Sequence, residues 1–127
     1  MNNKGDRFLL QCKVNYFKGI TPSNPINYQD LDYQLLIDIG VEYLHSNEIE
    51  EFAYFFRESQ YFVPLWAAHI IYDYGNPNNQ LKKECLGVIK DYSEHPLNSK
   101  ISEEETAWIK LHQNEFPSLA SASPSGL

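Results

Sequence analysis

Apolar and polar residues recur at helical spacing along most of the chain, beginning near its N-terminus. Residues 6–18 predict a first helix, with Asp6 as its cap and Gly19 as its stop. The apolar alternation between positions 10 and 16 would equally suit a strand, so the pattern leaves both structures open. Residues 20–27 contain two prolines and predict an extended connection to the next helix.

Two further helices are predicted between residues 28 and 59. In residues 28–44 a polar residue recurs at every fourth position and apolar residues cover most of the remaining circumference, so this helix should expose a narrow stripe. The stripe consists of Asp30, Gln34, Asp38 and Glu42. Asn47 is expected to cap residues 48–59, and the short gap predicts that the two helices pack as an antiparallel hairpin.

The clearest helix start and stop lie in the middle of the chain. Pro64 suits the first turn of a helix, and the run from Tyr74 to Pro77 is typical of a helix end. Because residues 65–72 are apolar almost all round, this helix is expected to be the central, buried one, with Trp66 in the core. Residues 79–92 predict an amphipathic helix that follows it.

A last helix is predicted after residues 95–96. Ser102 and Glu105 have the spacing of a capping box, and Pro117 should stop the helix. Residues 117–127 are mostly small and polar and predict a disordered tail. The expected fold is therefore all-α, with five or six helices in stacked antiparallel hairpins that form a single domain over residues 1–116.

Two successive helix pairs suggest a repeat. The run from Pro64 to Pro77 (PLWAAHIIYDYGNP), followed by residues 81–90 (LKKECLGVIK), resembles the helix, turn, helix pattern of HEAT-type repeats. The same region is more loosely similar to small α-helical immunity proteins that bacteria encode beside secreted toxins. The first resemblance implies a small helical solenoid, and the second implies a toxin domain as the partner.

Composition and charge narrow the classes of function. The 127 residues are 43% hydrophobic, which fits one folded domain, and the net charge of -7 disfavours binding to nucleic acid. No basic start joins an uninterrupted apolar stretch, so we expect no signal peptide, no membrane span and a cytoplasmic location. Cys12 and Cys85 are expected to be reduced core residues, although one disulfide remains an alternative.

Residues with catalytic or ligand-binding chemistry are few. The four histidines form no zinc-binding pair and the glycines form no phosphate loop, so neither a metal nor a cofactor is predicted. His69 and Asp73, four residues apart, could form an acid/base pair. The preferred interpretation is a buried histidine satisfied by a local carboxylate. The acidic residues 103–105 are attributed to helix capping and the helix dipole.

Negative charge is concentrated in residues 28–60, which hold eight acidic residues and one basic residue. Tyr54 should lie opposite the buried face of its helix, surrounded by carboxylates, as interface anchors do. A merely solvated face is the alternative. The predicted partner-binding residues are Glu50, Glu51, Tyr54, Phe55 and Glu58, followed by the stripe Asp30, Gln34, Asp38 and Glu42.

These patterns predict a cytoplasmic, non-enzymatic binding protein that docks an acidic surface onto a basic protein partner. The immunity-type resemblance implies that the partner is a toxin domain, for example a nuclease with a positively charged cleft. Two alternatives stay open: a structural or adaptor helical-repeat protein that binds peptide segments, and a small enzyme that uses His69 and Asp73.

Overall fold

The computed structural model describes residues 3–46 and 49–115, which form six α-helices and contain no strand. The prediction of an all-α fold is therefore confirmed. The helices are α1 (Asn3–Phe17), α2 (Leu31–Ser46), α3 (Ile49–Ala53), α4 (Val63–Tyr74), α5 (Asn79–Ser93) and α6 (Ser99–Leu111). Three 3₁₀ turns span Pro25–Asn27, Tyr54–Arg57 and Gln113–Glu115. Pro117, the predicted tail and the expected cap Asn47 lie outside the described residues.

Helix α4 is the centre of the molecule, as its apolar sequence predicts. Every residue from Val63 to Ile71 is buried, including Trp66, and Pro64 lies in the first turn. α4 packs against α5, α2 and the Tyr54–Arg57 turn, while α1 packs on α2 and α6 on α5. Cys12 and Cys85 are free and buried, and burial raises the pKa of the Cys85 thiol to about 12. Among the described helices, none is long and apolar enough to cross a membrane.

The helix predicted over residues 48–59 is wrong in its second half. α3 ends at Ala53, and the Tyr54–Arg57 turn replaces the rest. This turn places Phe55 beside Phe52, and both rings pack on Phe8 of α1, at centroid distances of 4.8 Å and 4.9 Å. A 3₁₀ turn brings residues three apart to one side, which suits this pair. The expected hairpin also differs, because α2 packs mainly on α1.

Several helix ends differ from the local signals in the sequence. α1 is a helix that begins at Asn3, so Asp6 is not its cap, whereas Gly19 ends it with a left-handed φ of +75°. α6 begins at Ser99, and the Asn98 side chain accepts a 3.0 Å hydrogen bond from the Ile101 amide. Ser102 is therefore not a helix cap; its hydroxyl donates to the Ser93 carbonyl.

Helix α2 also begins later than predicted and exposes more apolar surface. It starts at Leu31, and the Asp30 carboxylate caps it by accepting a 2.8 Å hydrogen bond from the Asp32 amide. Leu31 and Leu35, which were expected to cover the apolar side, are 82% and 42% exposed. The exposed part of α2 is thus wider than the polar stripe.

Candidate functional site

Tyr54 is the exposed aromatic residue that the sequence predicts. It begins the 3₁₀ turn after α3, and 60% of its surface is accessible. The Arg57 guanidinium lies over its ring, 4.6 Å from the centroid, and gives the ring a cation–π contact. Phe52, two residues earlier, is fully buried. The turn is therefore anchored on one side and presents the tyrosine on the other.

Two grooves lie on either side of Tyr54, and carboxylates line both. The first groove, of about 480 Å³, runs between α3 and the start of α5 and includes Glu50 and Glu84. The second groove, of about 320 Å³, runs between α1 and α3 and includes Asp6, Glu51 and Glu58. These five carboxylate side chains and Tyr54 are all exposed, and together we call them the Tyr54 surface.

The structure joins the predicted residues to two that sequence reasoning missed. Asp6 belongs to α1 and Glu84 to α5, so only the packing of those helices brings them to the grooves. Phe55 lines the second groove but is half-buried against Phe8. Phe55 therefore packs beneath the Tyr54 surface and adds little exposed area to that surface.

The α2 stripe lies apart from these grooves, since none of its four residues is among the described residues that line them. Three of the four already have partners within the protein. Asp30 caps α2, the Gln34 amide donates to the Tyr28 carbonyl at 3.2 Å, and Glu42 pairs with Arg7 at 3.2 Å. The stripe is exposed, but it does not form one surface with Tyr54.

His69 is buried and hydrogen-bonded to a carboxylate, but the carboxylate is not Asp73. Its Nε2 lies 2.7 Å from Glu105 Oε1 and 3.0 Å from the Ser23 hydroxyl, which also donates to Glu105 at 3.0 Å. The attribution of residues 103–105 to capping is wrong, because none of them lies in the first turn of α6. Glu105 is fully buried, and Glu104 accepts a 2.9 Å bond from Asn24.

A serine, a histidine and a glutamate in contact have the composition of a nucleophilic triad, but their geometry differs. A triad uses one ring nitrogen for the nucleophile and the other for the acid. Here the serine oxygen and the glutamate oxygen both contact Nε2. The arrangement suits a buried cross-link between α4, α6 and the connection that precedes α2.

Within the described part of the chain, no group of three or more potential ligands has the arrangement of a metal site. Comparison of the chain with protein families, with curated proteins and with solved structures gives no match.

Proposed function

We propose that this protein is a non-enzymatic binding protein that docks the Tyr54 surface onto a basic protein partner. The observation that carries the proposal is an exposed tyrosine fixed between two grooves that are lined by carboxylates. The immunity-type resemblance in the sequence extends the proposal to a toxin domain as the partner, neutralised when its basic site is covered.

The Tyr54 surface combines an aromatic anchor with surrounding negative charge. Tyrosine is enriched at binding hot spots because it adds contact area with little loss of side-chain entropy. The 60% exposure of Tyr54 leaves most of this area available, while the buried Phe52 holds the backbone beneath it. The carboxylates of both grooves would attract a basic partner and orient it before contact.

Removal of the anchor should act on dissociation. A partner is first captured from the native cell with the full chain as bait and identified by mass spectrometry. With that partner, Tyr54→Ala should raise the dissociation rate by about 30-fold, equivalent to about 2 kcal/mol. Tyr16→Ala is the matched control, because Tyr16 is 42% exposed and is not among the described residues lining either groove. Equal dissociation rates for both variants would contradict the proposed anchor.

Removal of the charges should act on association instead. Joint replacement of Glu50, Glu51 and Glu58 by Gln should slow association about 10-fold at low salt and flatten its salt dependence. The control replaces by their amides three exposed acids outside both grooves, one on α5, one just after the end of α5 and one on α6. These control residues are Asp91, Glu94 and Glu103.

Both triple variants remove three negative charges from a net charge of -7, so the comparison separates local steering from overall charge. Surface plasmon resonance at two salt concentrations measures the difference. If the control slows association as much as the joint replacement of Glu50, Glu51 and Glu58, the carboxylates of the grooves do not steer the partner. Unchanged kinetics in every variant would direct the same test to the α2 stripe.

A further inference from the structure

A second site lies at the junction of the loop before α2, α2 itself, α4 and α6. It is a pocket of about 200 Å³. This volume is smaller than the ~300–1,000 Å³ of pockets for drug-sized ligands, so it suits one small chemical group. We call it the aromatic pocket, and we define it by Tyr28, Tyr33, Trp66, Asp73, Tyr74 and Trp108.

The rings change from buried to exposed across this pocket. Trp66 is fully buried and Trp108 is 8% exposed, whereas Tyr28 and Tyr74 are 39% and 51% exposed. Tyr33 lies between them, with its ring centroid 5.2 Å from that of Tyr28 and 5.4 Å from that of Trp66. The Tyr33 hydroxyl donates to the Pro22 carbonyl at 3.1 Å, which fixes the ring. The pocket therefore has a wall of rings fixed by burial and hydrogen bonding, and a rim that solvent can reach.

The charge at the pocket is negative. Asp73 is the one Asp, Glu, Lys or Arg among the described residues that line it. Although Asp73 is exposed as a residue, burial of its carboxyl raises its pKa, an effect that nearby His69 and His112 oppose. The pKa of Tyr28 is raised mainly by burial and then by the charges of Asp73 and Glu105. Both carboxylates therefore act on the same site.

Aromatic faces and a carboxylate favour one class of ligand. His69 also lines the pocket, but its Nε2 is already hydrogen-bonded to Glu105 and Ser23. Ring faces attract cations, most strongly where water is excluded, and cages of several rings bind methylated ammonium groups. A neutral ligand lacks the attraction between its own charge and that of Asp73, and an anion would be repelled. We propose that the aromatic pocket binds a quaternary ammonium group, with the exposed rings of Tyr28 and Tyr74 around its methyl groups and Asp73 beside its charge.

Titration with choline tests this proposal on the full chain. Binding should shift the indole N–H signals of Trp66 and Trp108 in NMR spectra. The neutral carbon analogue, in which a tert-butyl group replaces trimethylammonium, should bind at least about 10-fold more weakly. A trimethyllysine peptide carries the same head group, so comparing it with choline separates a free small molecule from a modified side chain. Binding of either one supports the site.

Substitutions at the rim locate the binding without disturbing the core. Asp73→Asn should weaken choline binding about 10-fold, and Tyr28→Leu should weaken it about 5-fold. Asp91→Asn and Tyr16→Leu are matched controls on exposed residues that do not line the pocket, and they should bind like the parent. Circular dichroism confirms that each variant is folded.

Three results would overturn the proposal. The first is the absence of indole shifts with both choline and the trimethyllysine peptide. The second is equal affinity for choline and its neutral analogue, which would make the pocket an apolar cavity without charge selection. The third is parental affinity in folded Asp73→Asn and Tyr28→Leu, which would place any binding elsewhere.

Discussion

Ser23, His69 and Glu105 come from a loop and two helices, and their side chains meet at one histidine nitrogen. All three are buried, so they must take their hydrogen bonds from the protein. The second oxygen of Glu105 has no hydrogen-bond partner among the described residues. Burial of such a group is costly, and the first oxygen must carry the whole cross-link.

Loss of that oxygen should be strongly destabilising. Glu105→Ala should lower the free energy of unfolding by about 3 kcal/mol, because it leaves His69 and Ser23 buried without their acceptor. Glu105→Gln keeps the shape and one acceptor, so it should lose less. Glu103→Ala, at an exposed position of the same helix, should stay close to the parent. Urea unfolding followed by circular dichroism compares them, and equal stability of the two alanine variants would contradict this role.

For single residues, the sequence predicts those properties that depend on spacing between near neighbours in the chain. The exposure of Tyr54 follows from its position opposite the buried face of the chain around it, and this prediction is confirmed. Glu105 was interpreted wrongly because its spacing from Ser102 matches a capping box, while its true partners are 36 and 82 residues away. The local spacing of Glu105 from Ser102 contains no signal of these distant partners.

Between elements, Gly40 marks the place where α2 approaches α4 closely. A Cβ at Gly40 would lie 2.7 Å from Cδ1 and 3.1 Å from Cγ2 of Ile70. Such distances leave no room for a side chain unless Ile70 shifts. The buried glycine therefore sets how closely α2 can lie on the central helix.

A side chain at Gly40 should separate these helices. Gly40→Val should lower the free energy of unfolding by about 2 kcal/mol, because overpacking outweighs the better helix propensity. Ile70→Val removes Cδ1, so the double variant should be more stable than the sum of the single changes by at least about 0.5 kcal/mol. Gly87→Val is the control, since a Cβ there meets no atom within 4 Å. Additive changes, or an equal loss at Gly87, would contradict the close approach.

Helix positions were predictable where the chain carries its own signals. Pro64 and Gly19 mark a start and an end that the structure confirms. The break after Ala53 carries no such signal, because it depends on Phe55 reaching Phe8 on α1. The second groove beside Tyr54 could not be predicted for the same reason, since α1 forms part of it.

On the scale of the whole molecule, negative charge is concentrated first in one segment of the sequence and then on particular surfaces of the fold. Residues 28–60 hold a net charge of -7, equal to that of the entire chain. The fold then divides this segment between the α2 stripe and the Tyr54 surface, and it adds Asp6 and Glu84 to the latter. The acidic character of residues 28–60 is thus predictable from composition. The extent of the Tyr54 surface is not, because it depends on how α1 and α5 pack.

The buried side chains form one cluster that extends through the described helices. It includes Phe8 of α1, Trp66 of α4 and Ile101 of α6. A repeat array, in contrast, is stabilised by contacts between neighbouring units, so its parts can unfold separately. The continuity of the core favours a single unfolding transition over the behaviour of an array.

Core substitutions at the two ends of the chain test this continuity. Phe8 in α1 and Ile101 in α6 are both fully buried. Phe8→Ala and Ile101→Ala should therefore each lower the free energy of unfolding by about 3 kcal/mol. Circular dichroism reports all helices, whereas tryptophan fluorescence reports only α4 and α6, where Trp66 and Trp108 lie. Because one core links these helices, Phe8→Ala should shift both signals to the same lower midpoint. A fluorescence midpoint that stayed at the parental value while the circular dichroism midpoint fell would show that α1 unfolds separately, as in a repeat array.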